Sequence, residues 1–169
     1  NEITVDHNFN HYNRIGRLIQ TDENDSFIRF EAAEEMMERY PEVELAAPVQ
    51  YLAGYSFSVA YNGNFAPLQD IISTDNNFFR IFNLRLVEGF TSDPFAEKNS
   101  GVISQNLAAL LFGESSALGK IIDVGGFIKV RVTGIVENFP ENTSFFSEIY
   151  VNIEDEKLRI IQSRDNGVQ

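Results

Sequence analysis

Two glycine-containing dipeptides, each set between runs of alternating apolar residues, constrain this chain more than any other feature. Tyr55, Phe57, Val59 and Tyr61 alternate with small or polar residues up to Asn62-Gly63. Ile122 and Val124 lead into Gly125-Gly126, after which Ile128, Val130 and Val132 alternate again. A tight hairpin turn needs positive φ, which Asn and Gly adopt at little cost, and strict alternation presents one face of each strand to a core. Two hairpins are expected, with Phe65 to Ile72 returning beside the first. Pro67 lacks a backbone donor, which puts that return strand at a sheet edge.

Helical patterns fall between the strands. Ala33, Met36, Met37 and Tyr40 recur at i, i+3, i+4 and i+7, with Glu31, Glu34, Glu35 and Glu38 on the remaining faces, as in an amphipathic helix that Pro41 stops. Ile15, Leu18 and Ile19 suggest a short strand or helix end near the start of the chain. Asp75 to Phe82 reads as a short helix, and Phe82, Leu84 and Leu86 as a strand ending at Gly89. Ser104 is placed to cap a helix that carries Leu107, Leu110 and Leu111 and closes at Gly113. Val43 to Leu52 and Phe145 to Val151 read as further strands, and Glu154 to Gln162 as a final helix. Strands and helices alternate without a regular period, which favours α+β over a doubly wound sheet.

Composition narrows the function classes. At 169 residues, with 15 Phe and 6 Tyr, the chain is long and apolar enough to bury a core. Its 25 Asp and Glu against 13 Lys and Arg give a net charge of −12, and no basic patch offsets that field, so nucleic acid is not an expected partner. The absence of Cys removes disulfides, thiol catalysis and Cys-based zinc sites. No apolar stretch reaches the roughly 18 residues that a membrane helix requires.

Few residues suggest chemistry. His7 and His11 lie at i, i+4 beside Asp6, a spacing that can hold zinc, but no third or fourth ligand is recognisable. Asp22, Asn24 and Ser26 imitate the start of a calcium loop, which fails at Phe27 and Ala33, where Gly and a bidentate Glu are needed. The glutamates of the first helix read as a solvated face, and Ser104 lacks the glycines of a nucleophile elbow. Asn142-Thr143-Ser144 matches a glycosylation sequon. Phe78, Phe79 and Phe82, at i, i+1 and i+4, read as core. No catalytic, cofactor or metal site is expected.

The second half carries a run of motifs in fixed order: Asn77-Phe78-Phe79-Arg80-Ile81-Phe82 through to Gly89, Val102-Ile103-Ser104-Gln105 running to Leu111-Phe112-Gly113, Leu118-Gly119-Lys120, then Val132-Thr133-Gly134-Ile135-Val136 and Phe139-Pro140-Glu141-Asn142-Thr143-Ser144. Upstream stand Arg14-Ile15 and Tyr40-Pro41-Glu42-Val43-Glu44. In this order, over about residues 6 to 153, the chain resembles the MacB-like periplasmic core domain of ABC transporter permeases of the MacB and FtsX type. The resemblance marks Pro41, Phe78, Phe79, Gly89, Ser104, Gly113, Gly119, Gly134 and Pro140 as structural motif positions. Asn8, Phe9 and Gly16 depart from the aromatic and His residues usual in the membrane-proximal segment.

The resemblance implies a porter-like mixed sheet packed on helices with a smaller inserted α+β lobe. The larger lobe is expected from residues 1–75 and 129–169, and the inserted one from 76–128. It further implies a non-catalytic domain on the periplasmic side of the bacterial inner membrane, set between the first and second membrane helices of a four-helix permease. Implied partners are a second permease copy, a cytoplasmic ATPase subunit or domain, and, in some members, a membrane-fusion protein and outer-membrane channel. Implied cargoes are peptides, toxins or lipoproteins. Because both ends of such a domain must face the bilayer, Asp6, Tyr12, Arg14, Arg17, Lys157 and Arg159 are the candidate levers through which membrane motion enters it. A free-standing extracytoplasmic binding module is the alternative reading, and a hydrolase would need titratable groups that converge.

Overall fold

The computed structural model describes residues 12–18, 31–51, 57–68, 70–89, 93–126, 128–138 and 147–152. A short 3-10 helix at Tyr12–Arg14 is followed by α1 (Ala32–Arg39), β1 (Val49–Tyr51), β2 (Phe57–Tyr61), β3 (Asn64–Leu68), β4 (Ile72–Thr74) and α2 (Asn76–Ile81). Then come β5 (Leu86–Gly89), β6 (Ser100–Ser104), α3 (Gln105–Phe112), β7 (Ile121–Val124), β8 (Ile128–Val136) and β9 (Ile149–Asn152). The nine strands among the described residues form one mixed sheet in the order β1-β4-β9-β6-β8-β7-β2-β3, and β5 pairs with β8 off this path. The architecture is α+β.

Local signals set both hairpins. Tyr61 faces Asn64 across Asn62 and Gly63, whose φ values are +47° and +88°. Val124 faces Ile128 across the Gly125-Gly126 turn. Strand β3 ends the sheet order, and Pro67, opposite Ser58, lies exposed on it as a residue without a donor must.

Several strands differ from the sequence expectation, and in two of them side chains take up the backbone. The return strand stops at Leu68, and Ile72–Thr74 leaves it to pair antiparallel with β1 and parallel with β9. At that departure the Asp70 carbonyl lies 3.0 Å from the Ser147 hydroxyl. The strand expected over 43–52 narrows to β1, because the Ala46 and Pro48 carbonyls accept from Asn77 and Thr74 side chains instead of a neighbouring strand. The strand expected from Phe82 begins only at Leu86. Leu84 N–H donates back to the Phe79 carbonyl and Asn83 takes φ +50°, so the chain is still turning out of α2.

The two faces of the central strands are both buried. Ile103, Ile135, Ile149 and Val151 belong to one apolar cluster with Leu107, Ala108, Leu111 and Phe112 of α3. Their neighbours Val102, Val136 and Tyr150 belong to a second cluster with Phe78, Phe79 and Phe82 of α2. Alternate side chains of one strand thus enter different cores, which is why β6 is buried at every residue instead of every other one. Leu110, the other leucine of the helix pattern, is 59% exposed, because α3 turns Leu107, Ala108, Leu111 and Phe112 inward.

Strands inside the segment 76–128 are hydrogen-bonded to strands outside it: β6 to β8 and β9, β7 to β2 and β8, β5 to β8. Leu107 and Leu111 likewise share a core with Val59, Leu68 and Ile149.

Candidate functional site

The region where the N-terminal segment meets the core is built on α2. Asp75 caps this helix, its carboxylate accepting from Asn77 N–H at 2.9 Å and Phe78 N–H at 3.4 Å. Burial raises the Asp75 carboxyl above its ordinary value against the pull of those two bonds, and the nearby charges of Asp93 and Glu34 push in the same direction as burial.

Below the cap lies an aromatic core. Phe78 and Phe79 each sit 5.4 Å, centroid to centroid, from Tyr150, while Phe78 packs at 4.8 Å on Phe82 and Phe79 at 5.6 Å on Phe95. These are tilted and edge-on contacts of the kind the ring quadrupole favours. The Tyr150 hydroxyl accepts from Ser147 N–H at 3.2 Å, and its burial pushes its ionisation far above the usual range, so it acts only as a neutral hydrogen-bonding group.

Ile15, from the N-terminal segment, packs against this cluster, and so does Ala47. The adjacent Arg14 guanidinium donates to Glu44 at 2.5 Å, tying the Arg-Ile pair to the segment that follows Pro41. Arg17 is exposed, and Tyr12 opens the 3-10 helix. The other lever candidates, Asp6, Lys157 and Arg159, lie outside the described residues, as do His7, His11, the Asp22 to Ser26 turn, Pro140, the sequon and the expected helix from Glu154.

The remaining motif positions have structural work in this geometry. Gly89 faces Gly134 across β5 and β8. At Gly89, φ is +109°, and a Cβ there would stand 2.4 Å from the Thr133 carbonyl oxygen and 2.7 Å from Gly134 Cα, so no other residue fits without moving backbone. Ser104 caps α3 by accepting from Leu107 N–H at 3.0 Å, and its hydroxyl also bonds the Glu148 carboxylate. Gly113 closes α3 at φ +61°. Gly119, at φ +75°, turns the chain into β7 and donates to the Val132 carbonyl. Pro41 stands just past the Tyr40 C-cap of α1.

Sequence reasoning missed the polar side chains that hold backbone across long separations: Asn77 to Ala46, Thr74 to Pro48, Ser147 to Asp70 and Ser104 to Glu148. Their partners stand 26 to 77 residues away, and nothing local marks them. Among the described residues no three His, Cys, Asp or Glu side chains gather as a metal site would require. A shallow open depression lies elsewhere, on the outer face of β2 and β7, lined by Ala60, Ile121, Asp123 and Lys129, with the last two in an ion pair. The chemistry this region offers is packing, capping and hydrogen bonding between segments.

Solved structures share the fold. A domain assigned to a permease protein from Porphyromonas gingivalis superposes with a TM-score of 0.62 at 21% identity, over 72% of this chain and 55% of that one. The periplasmic region of MacB from Actinobacillus actinomycetemcomitans gives 0.55 at 15% identity, over 71% and 53%. The extracellular domain of the ABC-type transporter YknZ from Gram-positive bacteria is 26% identical, over 70% and 57%, with a TM-score of 0.48. The matched part is therefore about half the length of these chains. No curated protein matches the chain. The family model for the MacB-like periplasmic core domain matches residues 2–168. The chain belongs to the family of MacB-like periplasmic core domains.

Proposed function

We propose that this chain is the periplasmic domain of an ABC transporter permease of the MacB and FtsX type, and that it carries ATP-driven motion to periplasmic partners or cargo without doing chemistry itself. The observation that carries this reading is the family match across residues 2–168. The docking of Ile15 on the aromatic core and of Arg14 on Glu44 supports it, because a force applied to the N-terminal segment would reach α2 and the central strands through these contacts.

In this reading the permease works as a dimer with a cytoplasmic ATPase subunit or domain, and some members would engage a membrane-fusion protein and an outer-membrane channel. Peptides, toxins and lipoproteins are the candidate cargoes. Asp6, Tyr12, Arg14, Arg17, Lys157 and Arg159 are the lever candidates of this reading, which requires both ends of the domain to face the bilayer.

Spin labels at Tyr12 and Arg159 of the intact transporter, reconstituted with its ATPase, test this. A domain of this length has a radius of gyration of about 15 Å, so two ends at one pole should lie less than roughly 30 Å apart. The separation is expected to fall below that limit and to shift when ATP is bound. A separation beyond it that does not respond to nucleotide would overturn the lever reading.

A further inference from the structure

We propose that Thr74 and Asn77 are positioning residues that hold residues 43–48 as a strap, so that α1 and the N-terminal segment move together with the corner between β4 and α2. The inference rests on the coupling reading above and names the joint through which the coupling passes.

Residues 43–48 form neither helix nor strand, yet they are held at several points. The Thr74 hydroxyl donates to the Pro48 carbonyl at 2.6 Å, and the Asn77 amide donates to the Ala46 carbonyl at 3.0 Å. Ala47, between them, packs on the aromatic cluster. At the near end Val43 N–H donates to the Tyr40 carbonyl at 2.9 Å, which fastens the strap to the end of α1. On the outside Glu44 receives Arg14.

The two donors are themselves fixed. Thr74 is fully buried at the end of β4. The Asn77 carbonyl oxygen accepts from the Arg80 guanidinium at 3.1 Å, and because guanidinium can only donate, this turns the Asn77 NH2 toward Ala46. Helix α1 has no buried residue of its own, and the strap begins where it ends. The Arg14–Glu44 pair is exposed on both sides, where ion pairs contribute little. A half-buried carbonyl that loses its donor bears the desolvation cost, which gives the side-chain donors the larger share of the grip.

Amide hydrogen exchange on the 169-residue chain tests the strap, with Thr74→Val and Asn77→Ala combined. Exchange at Val43, the strap amide bonded to the Tyr40 carbonyl, is expected to quicken at least tenfold, while the amides of β6, β8 and β9 keep their rates. Spin labels at Arg17 and Glu42 should show a broader distance distribution. Thr74→Ser, which retains the hydroxyl, should behave like the parent. Should the double variant not fold, Thr74→Val against Thr74→Ser supplies the same contrast. Unchanged strap exchange would overturn the proposal. So would an equal quickening across the sheet, or the same response from Asn106→Ala, which removes the Asn106–Asn138 pair away from the strap. Failure here leaves the nucleotide response of the Tyr12–Arg159 distance untouched, so the two readings fail separately.

Discussion

Helices α1 and α3 are both eight residues long, and they are held in different ways. Helix α1 has the cleaner amphipathic pattern, with three glutamates opposite Ala33, Met36 and Met37, yet none of its residues is buried. Its first residue follows Glu31, which makes no side-chain cap. Helix α3 has a blurrier pattern and one exposed leucine, but it buries Leu107, Ala108, Leu111 and Phe112 and begins at a Ser104 cap. A stripe of apolar residues shows which way a helix would face a core; it does not supply the core. Sheet strands packed against α3 do so, whereas α1 buries none of its residues.

The largest expected contrast lies in the side chains themselves. Leu111→Ala, at a fully buried site, should lose about 2 to 5 kcal/mol of stability. Met36→Ala, half-buried on α1, should lose about 1 kcal/mol or less, since surface changes away from cores rarely do more. Urea unfolding of the two variants measures the difference. Equal losses would mean that α1 is as firmly built in as α3.

A smaller effect separates the helix starts. Ser104→Ala should cost about 1 kcal/mol, through the lost cap at Leu107 and the lost partner of Glu148, and Tm should fall by a few degrees. An unchanged Tm would show that burial alone holds α3.

The smallest lies at Asp75, where the charge of Glu34 on α1 is felt at the cap of α2. A carboxyl raised by burial holds its proton more tightly in the folded than in the unfolded chain. The stability this contributes is complete below its ordinary value of 3.8 and is lost as pH rises through the higher folded value. Asp75→Asn retains an acceptor for the cap and removes the charge. Its unfolding free energy should depend less on pH over that window, and at neutral pH it should be equal to or slightly above the parent's. A steeper pH dependence in the variant would reverse the sign of this argument.

The features legible in the sequence were those fixed by neighbours. Asn62-Gly63, Pro67, the Ser104 cap and the Gly113 stop each act over four residues or fewer, and each stands where the pattern placed it. The order of the motifs also led to the family that the whole-chain match shows. Features set by distant partners were hidden. Nothing near Ile72 shows that it pairs with Tyr150, and nothing near Ala46 shows that Asn77 takes its carbonyl. The same holds for Gly89, whose need to be glycine becomes visible only when Gly134 is brought opposite it.

Strand β9 has a consequence for how the chain reaches this state. It lies between β4 and β6, parallel to one and antiparallel to the other, and among the described strands it alone joins the β1–β4 pair to the rest. A chain emerging N-terminus first can close both hairpins and lay β6 along β8 before residues 149–152 appear. Until they do, β4 and β6 keep unpaired edges, and such edges invite pairing with other chains. Closing the sheet also pairs Ile72 with Tyr150, nearly eighty residues apart, a separation that slows folding. Residues 149–152 therefore set the moment at which synthesis can complete this sheet, and shielding of those edges by a chaperone would matter most just before they appear.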